Sequence, residues 1–220
     1  MPEINFFNKD NLPSMRKMKN DEYDLAIVDP QYGFGDISHC YGVKVKHKKM
    51  TWNDAPPPDE YFEQLFRISK NQIIWGCNYF YPHIKVPGRI VHYKDISGPL
   101  KNAMSDCDLA SQSFNNRIDY FPYRWSGNVQ GSKINWKNTG SDARIHPTQK
   151  PIILYKWTLE KYAKKGDRII ETHGGSMSIA IACYDLGFDL DIYEIDKEHF
   201  DNAVKRFEIY KSQLKINFNS

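Results

Sequence analysis

Short apolar runs alternate along the chain with segments whose apolar positions recur at helical spacing. Runs typical of buried strands occupy residues 4–7, 25–28, 73–75, 89–93 and 167–170. Helical patterns occupy residues 59–66, 151–164, 179–186 and 196–207. This alternation predicts an α/β fold, in which helices cover both faces of a mostly parallel, twisted sheet.

Residues at the ends of these helical patterns support the prediction. Asp59 follows three prolines and is expected to cap the first long helix, and Asp196 is expected to cap the last. Pro151 suits the first turn of its helix. Gly187 suits the position that ends the helix before the next strand, along which residues 188, 190 and 192 alternate as apolar positions.

The stretch from residue 95 to residue 142 has the weakest pattern. It is rich in Ser, Asn and Gly, and only residues 117–124 predict a strand. The remainder is interpreted as surface loops, where recognition residues are commonly found. The chain has no internal repeat and no low-complexity linker, so we expect one domain over residues 1–220, with short recognition inserts at about 36–55 and 122–142.

Composition limits the class of protein. The chain has 220 residues and a net charge of +3, which gives length for one sizeable core but too little charge for a uniformly basic protein. Its four cysteines form no C-x-x-C pair, so no metal site is predicted. No segment has the apolar length of a signal core or a membrane span, and we expect a cytoplasmic protein of a bacterial or phage-infected cell without a membrane partner.

The strongest chemical signal is the tetrapeptide Asp29-Pro30-Gln31-Tyr32, which directly follows the apolar run at residues 25–28. A buried strand here delivers a carboxylate, a rigid proline and an aromatic ring to one edge of the sheet. The carboxylate can accept hydrogen bonds from the amino group of a planar base, and the ring can stack on that base. The alternative for Tyr32 is purely structural packing against the sheet edge.

A second group of residues predicts a nucleoside site. Residues 171–177 form a Gly-rich turn between a predicted strand and a predicted helix, where the backbone can approach a ligand closely. Glu194 ends the next strand, about 20 residues further on, where an acidic residue can bind ribose hydroxyls. A tight structural turn is the alternative. The G-x-G-x-x-G fingerprint and the Walker lysine are both absent, which argues against NAD and ATP.

Basic residues are concentrated in the first predicted insert and recur in the second. As contacts to nucleic-acid phosphates they would position the chain on its partner, whereas ordinary surface solvation is the alternative. The candidate phosphate contacts are Lys44, Lys46, Lys48, Lys49, Arg124 and Lys133.

Taken together, these residues resemble the amino-group DNA methyltransferases that use S-adenosyl-L-methionine, in the β class, whose catalytic motif precedes the cofactor motif. Residues 29–32 are similar to the Asp-Pro-Pro-Tyr catalytic motif of that family. Residues 146–151 match the motif that leads into its first cofactor-pocket helix, and residues 75–80 are similar to a stretch of small phage-type members. The resemblance covers nearly the whole chain and implies a Rossmann-like methyltransferase domain.

The resemblance implies transfer of a methyl group from S-adenosyl-L-methionine to the exocyclic amino group of a flipped DNA base. The implied catalytic residues are Asp29, Pro30 and Tyr32. The implied cofactor-binding residues are Asp10, Asp29, His146, Thr148, Gln149, Lys150, Glu171, His173, Gly174, Gly175, Ser176 and Glu194. Adenine N6 is the favoured target, with cytosine N4 as the first alternative. A catalytically impaired relative that only binds cofactor or nucleic acid is the second.

The resemblance also bears on partners and on departures from the family pattern. DNA is the implied partner, and a second copy of the chain and a restriction endonuclease are further candidates. Gln31 replaces the second proline of the catalytic motif, Glu171 replaces an aspartate, and His173 replaces an aromatic residue. Met177 stands where the cofactor loop usually has a small residue, and a longer side chain there would narrow the pocket.

Overall fold

The computed structural model describes most of the chain but not the basic insert. The described residues are 1–35, 54–94, 105–126, 129–131, 145–146 and 148–217. The candidate phosphate contacts Lys44, Lys46, Lys48, Lys49 and Lys133 therefore lie outside the described residues.

Strands and helices follow each other in the order of an α/β protein. The strands in the described residues are β1 (Ile4–Phe7), β2 (Tyr23–Val28), β3 (Ser69–Trp75), β4 (Arg89–Tyr93), β5 (Cys107–Gln112), β6 (Ile118–Pro122), β7 (Arg124–Ser126), β8 (Val129–Gly131), β9 (Arg168–Glu171) and β10 (Asp189–Tyr193). The helices are α1 (Leu12–Met15), α2 (Asp59–Ile68), α3 (Ile152–Tyr162), α4 (Ser178–Leu186) and α5 (Lys197–Asn217), with a short 3-10 turn at Cys77–Tyr79.

One large sheet organises these elements. Among the described residues it contains eight strands, in the order β1-β10-β9-β2-β3-β5-β4-β6. β5 runs antiparallel to its neighbours β3 and β4, and the other pairings in this sheet are parallel. β7 and β8 form a separate antiparallel pair. The prediction of a mostly parallel sheet is confirmed.

Helices cover both faces of the large sheet. Ile27 and Ile73 belong to a hydrophobic cluster with side chains of α3, α4 and α5, whereas Val28 and Ile74 belong to a second cluster with α1 and α2. Successive side chains of a strand point to opposite faces, so the two clusters lie on opposite sides of the sheet. The predicted layer order is thus also confirmed.

The sequence pattern missed two strands in the stretch interpreted as irregular, the short β8 and β5, a strand of the large sheet. The six residues of β5 include a single large aliphatic side chain, Leu109, so they show no strand pattern. The position of β5 explains this composition, because Ala110 is paired with Trp75 on one side and Ile90 on the other. All three side chains are fully buried, and the small one accommodates its two large neighbours.

Helix and strand ends agree with most expectations. The Asp196 carboxylate accepts the backbone N–H of His199 at 2.9 Å, which confirms the predicted cap of α5, and Gly187 ends α4 at a φ of +80° as expected. The predicted cap at Asp59 was wrong, because Pro58 holds the cap position and Asp59 is the first helical residue. The single strand expected at residues 117–124 is divided between β6 and β7.

No helix in the part of the chain that the structure describes has the length and apolar character that crossing a bilayer requires.

A buried carboxylate on β10 links three neighbouring strands. Asp191 is only 4% exposed and accepts hydrogen bonds from the Tyr23 hydroxyl at 2.6 Å, the Arg168 guanidinium at 2.7 Å and the Asn5 amide at 3.0 Å. These donors lie on β2, β9 and β1. A carboxylate satisfied by several donors can remain buried, whereas donors that lose it are left without an acceptor.

We expect Asp191→Ala to lower the free energy of unfolding by about 1–3 kcal/mol, because the Tyr23 hydroxyl loses its acceptor and Arg168 loses a counter-ion. Urea denaturation measures the change. Asp189→Asn, at the exposed start of the same strand, is the control and should cost less than about 0.5 kcal/mol. Equal losses for both variants would show that the Asp191 network contributes little.

Candidate active site

The carboxyl ends of adjacent parallel strands bring the predicted site residues to one edge of the sheet. In open α/β sheets, ligands bind at this edge. In sheet order, the residues that follow β1, β10, β9, β2 and β3 are Asp10, Glu194, the turn at 171–177, Asp29 and Gly76. The structure thus brings together the two groups of residues that the sequence singled out separately.

Asp29 directly follows β2, and two side chains engage its carboxylate. The Tyr32 hydroxyl donates to Oδ1 at 2.8 Å, and Lys150 Nζ lies 3.0 Å from Oδ2. Burial and the negative charge of Asp29 raise the pKa of Tyr32, so its hydroxyl remains a donor. The carboxylate is therefore fixed in orientation and still has free lone pairs, because an ionised carboxylate offers about four acceptor positions.

Tyr32 is part of an aromatic surface that it shares with Phe34 and Tyr79. Its ring stacks on Tyr79 with centroids 4.7 Å apart, and Phe34 meets Tyr79 edge-on at 4.8 Å. Phe34 is 52% exposed and Tyr79 43% exposed, so this surface is open beside Asp29. Of these three rings, only Tyr32 was predicted from the sequence as a stacking surface for a base. The signal for the other two was their position directly after the strands that end at this edge.

Gly76 makes room for the Tyr32 ring. It has a φ of +69°, in the left-handed region that glycine adopts without a steric penalty. A Cβ atom at this position would lie 2.1 Å from Cε1 of Tyr32, far inside van der Waals contact. A glycine is therefore required both by the backbone conformation after β3 and by the position of the aromatic ring.

The Gly-rich turn at residues 171–177 is attached to the end of β10. Gly174 N–H donates to the carbonyl of Tyr193 at 2.7 Å, and Gly175 N–H donates to Oε2 of Glu194 at 2.7 Å. The other oxygen of Glu194 accepts the N–H of Asp196 at 2.8 Å. These bonds hold the turn and the carboxylate in one arrangement, while each oxygen keeps a further acceptor position.

Burial favours the neutral forms of two titratable side chains of this turn. Burial, with the nearby Asp29 charge, raises the pKa of Glu171 well above its usual value, although Oε1 accepts the His173 N–H at 2.9 Å. Desolvation lowers the pKa of His173 to about 3. The His173 ring contacts the Thr172 hydroxyl through Nδ1 at 2.9 Å and meets the Tyr61 ring edge-on at 5.2 Å.

The segment at 146–151 borders the same turn. The His146 ring is buried, lies edge-on to His199 with centroids 4.4 Å apart, and is 3.6 Å from the position of a Cβ on Gly175. The Thr148 hydroxyl is within 3.1 Å of His146 Nδ1. Thr148 does not cap the following helix, because α3 begins at Ile152 with Pro151 in the cap position.

Gln149 and Lys150 turn away from solvent. The Gln149 side chain accepts the N–H of Ile145 at 3.0 Å, and its carbonyl accepts the indole N–H of Trp125 at 2.6 Å. Gln149 therefore connects this segment to β7. Lys150 reaches Asp29, so the structure places it at the predicted catalytic carboxylate, although the family resemblance had grouped it with the cofactor residues.

The remaining predicted residues occupy several different positions. Asp10 is exposed after β1, and its carboxylate accepts the N–H of Leu12 at 3.1 Å. Ser176 is buried, and its hydroxyl lies 3.0 Å from that of Ser178. Arg124 is buried on β7. The described residues contain no group of three or more His, Cys, Asp or Glu side chains arranged to hold a metal ion.

Met177 does not line the cleft, contrary to expectation. Its side chain is 1% exposed and belongs to the hydrophobic cluster beneath α3 and α4. Its backbone has a φ of +53°, in the left-handed region that residues other than glycine rarely adopt. A methionine at this position thus fills the core below the turn and leaves the pocket above it unchanged, at the cost of a strained backbone.

No protein-family model matches the chain, and no curated protein matches it significantly. Several solved structures, by contrast, are similar to the chain. The complex of M1.HpyAVI with SAM gives a TM-score of 0.59 at 16% identity, over 92% of this chain and 99% of that one. The cytosine-N4-specific PvuII DNA methyltransferase gives 0.60 at 10% identity, over 94% and 87%.

A third similar structure is TTHA0409 of Thermus thermophilus, a candidate DNA modification methylase solved with S-adenosyl-L-methionine. It gives a TM-score of 0.54 at 10% identity, over 94% of this chain and 93% of that one. The likeness extends over nearly the whole length of all three proteins at very low identity, and it therefore establishes the fold. The chain has the Rossmann-like architecture that the sequence predicted.

We expect Gly76→Ala to lower the free energy of unfolding by more than about 2 kcal/mol, because a left-handed alanine is strained and its Cβ would displace the Tyr32 ring. Gly187→Ala is the matched control. It has a φ of +80° with no described atom within 4 Å of a Cβ, so it should cost about 1 kcal/mol from backbone strain alone. Thermal and urea denaturation of both variants compare these costs, and equal losses would contradict the proposed clash.

His173 should make the protein less stable in acid. Its pKa is about 3 in the folded protein and about 6.5 in an unfolded chain, so the unfolded state binds more protons between these values. Its stabilising contribution is complete above about pH 6.5 and is lost as the pH falls towards 3.

Between pH 7 and pH 4, the free energy of unfolding should therefore fall by about 1–3 kcal/mol less in His173→Gln than in the wild type. The spread of this value allows for incomplete burial of the ring. Urea denaturation at a series of pH values measures this difference. The raised pKa of Glu171 acts in the opposite direction but is present in both proteins, so it cancels in the comparison. Parallel pH profiles for the two proteins would refute the assignment to His173.

Proposed function

We propose that this chain is a DNA methyltransferase that transfers a methyl group from S-adenosyl-L-methionine to the exocyclic amino group of a flipped base. The observation that carries the proposal is the position of the Asp29 carboxylate. It lies at the end of β2, between an exposed aromatic surface and the Gly-rich turn at 171–177. The fold shared with a DNA methyltransferase and with two proteins solved with this cofactor supports the proposal.

The residues around the turn suit the proposed cofactor. Gly174 and Gly175 present backbone without side chains, and Glu194 retains acceptor positions for the two hydroxyls of a ribose. The other residues proposed to hold the cofactor are Asp10, His146, Thr148, Gln149, Glu171, His173 and Ser176. When bound, the cofactor supplies an electrophilic methyl group on a sulfonium, so the protein needs no nucleophile of its own.

The chain contributes chiefly orientation and electrostatic stabilisation. An amino group conjugated to a base is a poor nucleophile, and hydrogen bonds to the Asp29 carboxylate and the Pro30 carbonyl would localise its lone pair. Positive charge develops on the nitrogen during transfer, and a fixed carboxylate stabilises it without reorganising. Tyr32 holds the carboxylate in place through its hydrogen bond to Oδ1.

The aromatic surface would receive the flipped base. A base cannot be reached inside a duplex, and stacking on an aromatic ring offsets part of the cost of extruding it. We further propose a single domain over residues 1–220, with recognition by the inserts at about 36–55 and 122–142. Their basic residues would contact phosphates, since such contacts position a protein on DNA without reading its sequence.

Adenine N6 is the proposed target, and cytosine N4 is the alternative, which the likeness to the cytosine-N4-specific PvuII enzyme favours. The catalytic motif serves both amines, since each base presents an exocyclic amino group in conjugation with its ring. Digestion of DNA from cells that express the chain, followed by measurement of N6-methyladenine and N4-methylcytosine, separates them. Absence of both modified bases, with cofactor binding intact, would identify an impaired relative.

We expect Asp29→Ala to abolish methylation while cofactor affinity stays within about threefold of the wild type, because the carboxylate acts chiefly on the base and Asp29 is only one of many residues proposed to bind the cofactor. Nucleoside analysis measures the first quantity and calorimetric titration with S-adenosyl-L-methionine the second. Asp189→Asn is the control and should retain activity. Methylation by Asp29→Ala would refute the role of Asp29, and failure of the wild type to bind the cofactor would refute the proposed function.

A further inference from the structure

The ammonium of Lys150 lies between two carboxylates. Its Nζ is 3.0 Å from Oδ2 of Asp29 and 4.0 Å from Oδ2 of Asp108, a residue of the antiparallel strand β5. The Lys150 side chain is 7% exposed, and its charge lies 5.2 Å from the centre of the buried Trp75 ring. The ammonium is therefore largely shielded from water, and its charge is stabilised by both carboxylates.

Asp108 is in turn held by two basic side chains, His92 of β4 and Lys94, which directly follows that strand. Lys94 Nζ donates to Oδ1 at 2.9 Å, and His92 Nδ1 lies 3.5 Å from Oδ2. Burial opposes the charge of Asp108, but Lys150, His92 and Lys94 together lower its pKa far below the usual range. The pKa of Lys150 is raised despite burial, because Asp29 and Asp108 both favour its charged form.

This arrangement decides the charge that a base would meet. With Asp29 as its only counter-ion, the whole ammonium charge of Lys150 would act on that carboxylate and weaken the stabilisation it can give to positive charge on an amino nitrogen. Asp108 lies on the other side of Lys150 and interacts with the same ammonium, while Lys94 offsets part of the charge of Asp108. At separations of a few ångströms in a poorly hydrated site, the sharing of one ammonium between two carboxylates is a large electrostatic effect.

We infer that Asp108 is a positioning residue that acts through Lys150: it shares the ammonium with Asp29, so that Asp29 remains fixed and keeps its capacity to stabilise the amino group during transfer. This inference rests on the proposed function of the same site. Asp108 itself touches neither base nor cofactor in this scheme. Its effect should therefore appear in kcat and leave both binding steps unchanged.

The first test is Asp108→Asn, which keeps the shape of the side chain and removes its charge. We expect kcat to fall by about tenfold or more, with KM for DNA and Kd for S-adenosyl-L-methionine within about threefold of the wild type. Asp119→Asn is the matched control, since Asp119 is a buried carboxylate on β6 paired with Lys161 at 2.8 Å. Asp108→Glu, which restores the charge, should recover most of the lost rate.

The second test is suppression by Lys150→Met. If the defect of Asp108→Asn comes from the unshared charge of Lys150, removing the ammonium as well should recover part of the lost rate, although Asp29 is then less fixed than in the wild type. The double variant should then be faster than Asp108→Asn alone, and the two substitutions should be strongly non-additive. Thermal unfolding of each variant verifies the fold, and Asp108→Ser takes the place of Asp108→Asn if that variant does not fold.

The outcomes separate this inference from the function on which it rests. A wild type that methylates no base overturns both. If the wild type is active, three results would each overturn the inference alone. These are full kcat in Asp108→Asn, an equal loss of kcat in Asp119→Asn, and independent, multiplicative effects on kcat of the substitutions at positions 108 and 150. Loss of kcat in Asp108→Asn, recovery in Asp108→Glu and suppression by Lys150→Met would together support it.

Discussion

The candidate site depends on one enclosed ion pair, between Lys150 and Asp29. A carboxylate at the open end of a strand could rotate freely or be screened by water. Here, Lys150 and the Tyr32 hydroxyl hold one oxygen each, so the acceptor has a fixed direction before any ligand binds. Fixed acceptors of this kind are effective in catalysis because no reorganisation is needed as charge develops. The ion pair also joins β2 to the segment that precedes α3.

Three neighbouring features of the structure allow this ion pair and its partners to form. The Lys150 side chain reaches Asp29 through the protein interior. The preceding residue, Gln149, is buried, and its carbonyl accepts the indole N–H of Trp125, which holds this part of the chain inside the protein. Tyr32 needs space at the end of β3, which Gly76 provides. Asp108 is available as a second counter-ion because β5 is inserted antiparallel between β3 and β4.

Much of this architecture could be predicted from the sequence, and the exceptions have physical causes. Runs such as residues 25–28 are buried on both faces, so apolar pattern and strand coincide. β5 could not be recognised, because a strand that packs Ala110 between Trp75 and Ile90 needs a small residue where pattern analysis expects a large one. Missing β5 also meant missing Asp108, whose partners come from segments distant in the chain.

Site residues were predictable where they follow a strand and less so where their role depends on a long-range contact. Asp29, Glu194 and the turn at 171–177 come directly after strands, so their presence at one edge follows from a parallel sheet. Lys150 was recognised as a site residue, but its contact with Asp29 spans 121 positions of sequence and depends on tertiary packing. Met177 shows the same limit, since its side chain is directed into the core by a left-handed backbone.

Burial, as well as sequence, influences which carboxylates at the edge of the sheet favour their charged form. Glu171 and Asp29 end neighbouring strands, and two ionised carboxylates in such proximity would repel each other. Burial raises the pKa of Glu171 and so favours its neutral form beside Asp29, whose carboxylate is paired with Lys150. A glutamate in this turn is thus compatible with an ionised Asp29. The departure at residue 171 does not by itself weaken the site, because the side chain is buried and Oε1 accepts the backbone N–H of His173 in the same turn.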